Sequence, residues 1–189
     1  MTKRNKNIDR RRTAVALAEL AALTLCVITA SVFDIETTSA KIIGSYVSWA
    51  VICAAAFKFP VSFYTLAMIF HFFAASLGSV INFYKTVDFY DKLVHFFSGI
   101  VLAHAGILII GYLLSKRRAA QYHIIKAIFA FFFSAACAAF WEMYEFIGDT
   151  ALGLKMQGGN SNTMGDIISG VLGGLVYTGI YMYLTRKDT

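Results

Sequence analysis

The sequence predicts an all-α membrane protein, a polytopic bundle of six transmembrane helices with both termini in the cytoplasm. Three observations carry this. Hydrophobic residues make up 58% of the chain and charged ones only 15%, against about a quarter charged in soluble domains. The apolar residues gather in runs of about 20, the length that a helix rising about 1.5 Å per residue needs to cross about 30 Å of hydrocarbon. The basic residues also fall on alternate sides of those runs, as the positive-inside rule requires. A single transmembrane domain over residues 1–189 follows, with a basic cytoplasmic tail at 1–12 and the lipid bilayer as its solvent.

The six spans are expected at 13–33, 40–58, 60–81, 93–115, 124–147 and 166–185. The first follows a tail carrying Lys3, Arg4, Lys6, Arg10, Arg11 and Arg12. A basic tail before an apolar run resembles a secretory signal, but this run exceeds the usual 7 to 15 residues and further spans follow it, so retention is expected. Glu19 lies about 9 Å into the span by helical rise and is expected to reach Arg12 or Lys126 in a structural role. Only Lys58 and Pro60 separate the second span from the third. Proline suits the first residue of a new helix; without that break the chain would have five spans. His71 in the third span and His104 in the fourth each sit about 15 Å deep, and the expectation is a hydrogen bond between the two helices.

The fourth span opens on DKLVH, where Asp91 and His95 are one helical turn apart. A carboxylate beside an imidazole fixes its tautomer and raises its basicity, which suits a general base or a metal ligand. A helix-start acid and a satisfied histidine would have the same spacing. The fifth span ends in WEMYEFIGD, whose Glu142, Glu145 and Asp149 recur at i, i+3 and i+7 and so share one face. Ala138 and Ala135 continue that stripe, and small residues line helix contacts in membranes, so the acidic face should point inward. The sixth span follows a Gly/Asn/Ser loop at 158–165, with Asn162 or Thr163 as the expected helix cap and Asp166 in the first turn. Gly165, Ser169 and Gly173, then Gly170 and Gly174, form small-xxx-small ladders that indicate close packing. Phe83, Tyr84, Phe89, Tyr90 and Trp141 are read as interfacial anchors.

Charge placement gives the orientation. The tail, Lys58, Lys116, Arg117, Arg118, Lys126, Arg186 and Lys187 hold 13 of the 17 basic residues, all on one side of a six-span chain. The other side keeps Lys41, Lys85, Lys92 and Lys155 together with most of the acids. The net charge of +6 is thus a topology signal and no nucleic-acid partner is expected. Cys26, Cys53 and Cys137 all lie in spans, with no disulfide framework or CxxC motif.

Asp91, His95, Glu142, Glu145, Asp149 and Asp166, with Gln157 and Asn160 in the intervening loop, are therefore expected at the outer end of the spans. Intramembrane ionisable residues need a partner, a wet cavity or a function. Asp91, His95, Glu142 and Glu145 are the candidates for acid–base work. Asp149, Gln157, Asn160 and Asp166 are candidates for binding. His95, Glu142, Glu145, Asp149 and Asp166 are the donors a divalent metal ion would use, although HExxH and EF-hand patterns are absent.

The stretches DKLVHFFSGI, WEMYEFIGD and MQGGNSNTMGDIISGVLGG resemble, in order and spacing over residues 85–180, the YjdF-like family of bacterial inner-membrane proteins. More remotely they are similar to VanZ-like membrane proteins, some of which are associated with glycopeptide resistance. The resemblance implies an inner-membrane location and a polar signature on Asp91, His95, Glu142, Glu145, Asp149, Gln157 and Asp166. One position departs: Asn162 stands where that family commonly has an acid. Since the family has no assigned activity, the resemblance implies a topology and a site rather than a reaction. Three readings follow. The site acts on or binds a lipid or lipid-linked envelope molecule at the outer leaflet; or the chain is an ion-coupled transporter using His71 and His104; or the buried acids are structural.

Overall fold

The computed structural model describes residues 3–114, 122–154 and 156–186, with side chains described from residue 7 onward. Lys116, Arg117, Arg118, Lys155 and Lys187, which contribute to the charge pattern, lie outside them. All regular structure among the described residues is helical: α1 (Lys3–Val32), α2 (Ser39–Ala55), α3 (Val61–His71), the short α4 (Phe83–Thr86), α5 (Tyr90–Leu113), α6 (His123–Leu152) and α7 (Asn160–Thr185). Six stretches are long and apolar enough to span a bilayer, namely Asn7–Val32, Ser39–Lys58, Val61–Val80, Tyr90–Leu113, His123–Leu152 and Asn160–Thr185.

The break at Pro60 is real. A 3₁₀ turn (Ala56–Lys58) closes α2, and Pro60 stands just before α3 with φ −54°, so its missing N–H falls where a helix start has no partner for it. Two ends differ from expectation. Helix α6 runs to Leu152, where Gly153 stops it in the left-handed conformation at φ 67°. Helix α7 begins at Asn160 after Gly159, so neither Asn162 nor Thr163 caps it and Asp166 lies well inside the helix. Glycine and asparagine in the 158–165 stretch suggest a loop by propensity, yet the hydrogen bonds of the first α7 turns form there.

The chain packs as two compact units, Met1–Tyr90 and Asp91–Thr189. In the first, α1 packs on α2, on α3 and on the segment Phe72–Val80. That segment continues α3 as a nine-residue π-helix, its last bond running from the Ile81 N–H to the Ser76 carbonyl at 3.0 Å. Leu23, Ala30 and Val80 form an apolar core bordered by Cys26, Val27, Ile35 and Tyr46. The Phe83 and Tyr84 rings both meet Tyr90 edge-on, at 5.4 and 5.5 Å, and the Tyr90 hydroxyl donates to the Phe73 carbonyl at 2.8 Å. Lys85 bonds Glu36 at 2.9 Å and holds that carboxyl below the usual carboxylate range, so this exposed tie is made at neutral pH and lost as pH falls through the lowered value.

In the second unit α6 lies along α7, and small residues set the spacing. A Cβ on Gly173 would overlap the Phe96 carbonyl, and one on Gly99 the Gly170 carbonyl, so α5 and α7 touch backbone to backbone. Gly174 faces the Ser134 side chain and Gly170 faces Ala138 in the same way. The ladders are therefore packing surfaces, as their spacing predicts. In this unit the buried positions are small or polar apart from Val94, whereas large apolar side chains such as Phe132, Phe140 and Ile180 face outward. That distribution suits a hydrocarbon solvent and inverts the rule for soluble domains.

Candidate functional site

The site is built in the second unit from the first turns of α5, the last third of α6 and the early turns of α7. Close contact at Gly99, Gly170 and Gly173 brings these helices near enough for short side chains to meet. Asp166, 1% exposed, is the most enclosed acid. It accepts from Lys92 Nζ at 2.9 Å and from Asn162 Nδ2 at 2.6 Å. Asn162 also donates to Asp91 Oδ2 at 3.3 Å and accepts Lys92 Nζ on its amide oxygen at 2.6 Å. One amide thus joins an ammonium to two carboxylates, using a donor where acids alone would repel.

His95 completes the group. Its Nε2 is 3.5 Å from Asp91 Oδ1 and 3.7 Å from Glu142 Oε1. Glu142 is 3% exposed and neither of its oxygens has a formed hydrogen bond; the Thr163 hydroxyl lies nearby, itself accepting from Gln157 Nε2 at 3.2 Å. A buried carboxylate with no formed hydrogen bond is costly. Three carboxylates, Asp91, Glu142 and Asp166, face one ammonium, Lys92, so the cluster is formally doubly negative with His95 neutral and singly negative with it protonated.

The spacing also suits an ion. Atoms of Asp91, His95 and Asp166 lie within 4.8 Å of one another. Separations of 3.5 and 3.7 Å around Nε2 are longer than a hydrogen bond and match two donors each about 2.0–2.2 Å from a shared divalent cation. Oxygen donors with one imidazole fit a hard or borderline metal, and the Lys92 ammonium would compete with it for Asp166.

The remaining sequence candidates make their own contacts. Glu145 is half-buried and accepts the Trp141 indole N–H at 2.8 Å. Asp149 accepts the backbone N–H of Gln157 at 2.9 Å and that of Met156, pinning the chain that leaves α6. Gln157 is taken by Thr163, and Asn160 is exposed at the start of α7. Of Glu142, Glu145 and Asp149, Glu142 has an oxygen within 4 Å of His95, while Glu145 interacts electrostatically with Glu142, Asp91 and His95. Sequence reasoning missed Lys92, counted there only as a charge, and treated Asn162 as a departure. Their signals were adjacency to Asp91 and the i, i+4 spacing of Asn162 to Asp166.

Two other expectations are corrected. Both ring nitrogens of His71 are used within the first unit, Nδ1 on Glu19 at 2.7 Å and Nε2 on the Ser45 carbonyl and Ser48 hydroxyl, in place of a bond to His104. His104 bonds the Tyr177 hydroxyl. Glu19 therefore pairs with His71 rather than with Arg12, which donates to the Phe59 carbonyl and pairs with Asp9.

A family model described as a predicted membrane protein, DUF2238, matches residues 12–187. No curated protein and no solved structure matches the chain. With nearly its whole length covered, the chain belongs to the DUF2238 family of membrane proteins, in agreement with the resemblance to a bacterial membrane family.

Proposed function

We propose that this membrane protein, set in its bilayer, uses the Asp91–His95–Glu142–Asp166 cluster to bind or chemically activate a lipid or lipid-linked envelope molecule. The observation that carries the reading is Glu142, enclosed, without a formed hydrogen bond and 3.7 Å from an imidazole nitrogen. Native structures seldom retain such a group unless a ligand or a reaction uses it. A hydroxyl or water held between Glu142 and His95 could give its proton to one and be positioned by the other. Asp91 would steady the ring, while Lys92 and Asn162 hold Asp166. The positive-inside pattern supports cytoplasmic termini in an inner membrane and a cluster at the outer leaflet, where a headgroup is within reach. A multi-pass chain exposing Phe132, Phe140 and Ile180 would meet such a molecule in the bilayer plane.

The test is the lipid complement of protein extracted in mild detergent, measured by native mass spectrometry for wild type and Glu142→Gln. Expected is one headgroup class enriched over the membrane average in wild type and reduced about tenfold in the variant, as loss of one charge-assisted contact implies. The same lipids in both samples would leave a structural role for the cluster. The donor geometry of Asp91, His95 and Asp166 favours one further reading, a divalent ion as the activating group. Metal analysis without chelators decides it: a near-stoichiometric ion lost in His95→Ala supports it, and wild type without an ion excludes it.

A further inference from the structure

The first unit contains a second ionisable group, far from any span end and independent of the cluster above. Glu19 is the thirteenth residue of the stretch Asn7–Val32 and His71 the eleventh of Val61–Val80, so each lies near the middle of its own span. Both are buried, with side chains 4% and 3% exposed, and they meet at 2.7 Å through Glu19 Oε1 and His71 Nδ1. Ser76, in the π-helical segment, donates to the same carboxylate oxygen at 3.3 Å. The second oxygen, Oε2, is buried and has no hydrogen-bond partner. Mid-membrane ionisable groups with a named partner point to function, and π-helical insertions occur often at such places.

Counting protons identifies the ligand. His71 Nε2 is 3.1 Å from the Ser45 carbonyl, which can only accept, so Nε2 must carry hydrogen. Ser48 fits this, because its hydroxyl already donates to the same carbonyl at 3.0 Å and leaves its oxygen to accept from Nε2 at 2.9 Å. With Nε2 protonated, the 2.7 Å contact between Nδ1 and Glu19 needs a proton of its own. That proton makes the pair either an imidazolium with a carboxylate or an imidazole with a carboxylic acid, and both are neutral overall. The other tautomer, Nδ1–H facing a carboxylate, would turn a lone pair on Nε2 toward the Ser45 carbonyl. It would also leave a net negative charge in the unit's interior, where it is most costly.

The surrounding elements do not supply a compensating charge. Cys26 on α1 interacts with Glu19, and the packed elements also carry Tyr46 and Cys53 on α2 and Tyr64 on α3, whose hydroxyl bonds Cys53 at 3.5 Å. Of the cations of this unit whose side chains are described, Arg12 bonds Asp9 and the Phe59 carbonyl, Lys41 bonds Asn82 and Lys85 bonds Glu36, while Arg10, Arg11 and Lys58 are exposed. Among the described residues Glu19 and His71 have no ion pair except with each other.

We infer that Glu19 and His71 form an exchangeable proton-binding site in the membrane interior, holding one proton between Oε1 and Nδ1. Proton loss leaves one negative charge shared by the pair. It also weakens the attachment of α1 to α3, the contact that the proton closes. The ligand is a proton rather than a metal cation, because the imidazole directs a donor, not a lone pair, toward the serine oxygens.

The experiment is nitrogen NMR of full-length protein labelled at its four histidines, in lipid nanodiscs, from about pH 5 to about pH 10, where lysines begin to titrate. His71 is assigned by difference against His71→Gln, or, if that variant does not fold, against a variant lacking the other three histidines. Expected is a protonated Nε2, a proton shared at Nδ1, and a single one-proton transition within the range. Glu19→Gln, whose amide can donate to Nδ1, should abolish the transition while keeping the Nε2–H tautomer. Because the wild-type spectrum decides the proton count, an unfolded Glu19→Gln leaves the test intact. An Nδ1–H tautomer facing a carboxylate over the whole range would overturn the inference. A shared proton that never leaves would overturn its exchangeable character and reduce the pair to a structural tie.

Discussion

Asn162 shows how one side chain decides the character of the site. Its amide donates to Asp91 and Asp166 and accepts from Lys92, so this position balances the charges around it. An acid here would place a further carboxylate against two others, whereas the amide supplies the donor they need. Lys92 carries the second half of that balance, with its side chain 32% exposed and that of its partner Asp166 only 2%. Replacing Lys92 with Met should therefore destabilise the protein by about 2–4 kcal/mol, since it strands a buried carboxylate. Adding Asp166→Asn should recover part of the loss by removing the stranded charge. Thermal unfolding of the detergent-solubilised single and double variants checks this; a double variant less stable than Lys92→Met would contradict it. At this scale the sequence showed residue types and neighbours along one helix, so Asp91 with His95 was legible. The contacts of Lys92 with Asp166 were not, because they join residues 74 apart.

At the level of elements, the contact of α5 with α7 depends on hydrogen atoms standing where side chains would be. A Cβ at Gly173 meets the Phe96 carbonyl, which is backbone and cannot rotate away, whereas a Cβ at Gly179 meets nothing within 4 Å. Gly173→Ala should cost about 1–3 kcal/mol by forcing the helices apart, and it should disturb the cluster that the contact assembles. Gly179→Ala should be neutral or slightly stabilising, because alanine is the better helix former by up to about 1 kcal/mol. Equal unfolding temperatures for the two variants would show that the close approach does not hold the helices. The ladders themselves were legible from spacing. Helix ends were less so: the Gly-rich 158–165 stretch joins α7 from Asn160 onward, and α3 changes to π-helical turns after His71, where nothing in local propensity signals an altered hydrogen-bond register.

For the whole molecule, the positive-inside pattern predicts cytoplasmic termini and an outward end for the Asp91–Asp166 cluster. In a cysteine-free background, Asn160→Cys should react with a membrane-impermeant thiol reagent in intact cells, and Lys58→Cys only after permeabilisation. The opposite labelling would invert the orientation and move the proposed ligand to the inner leaflet. The sequence by itself determined the number of spans and the helical class, with six stretches apolar and long enough to cross a bilayer. These follow from hydrophobic length and composition, which are properties of consecutive residues and need no knowledge of neighbours. Only the tertiary structure decided which ionisable groups meet: Glu19 with His71 rather than with Arg12, Glu142 with His95 while Glu145 turns to Trp141. In lipid every outward face is equally apolar, so composition does not rank helix partners. Close packing of small residues selects the faces that touch, and that selection places each buried charge.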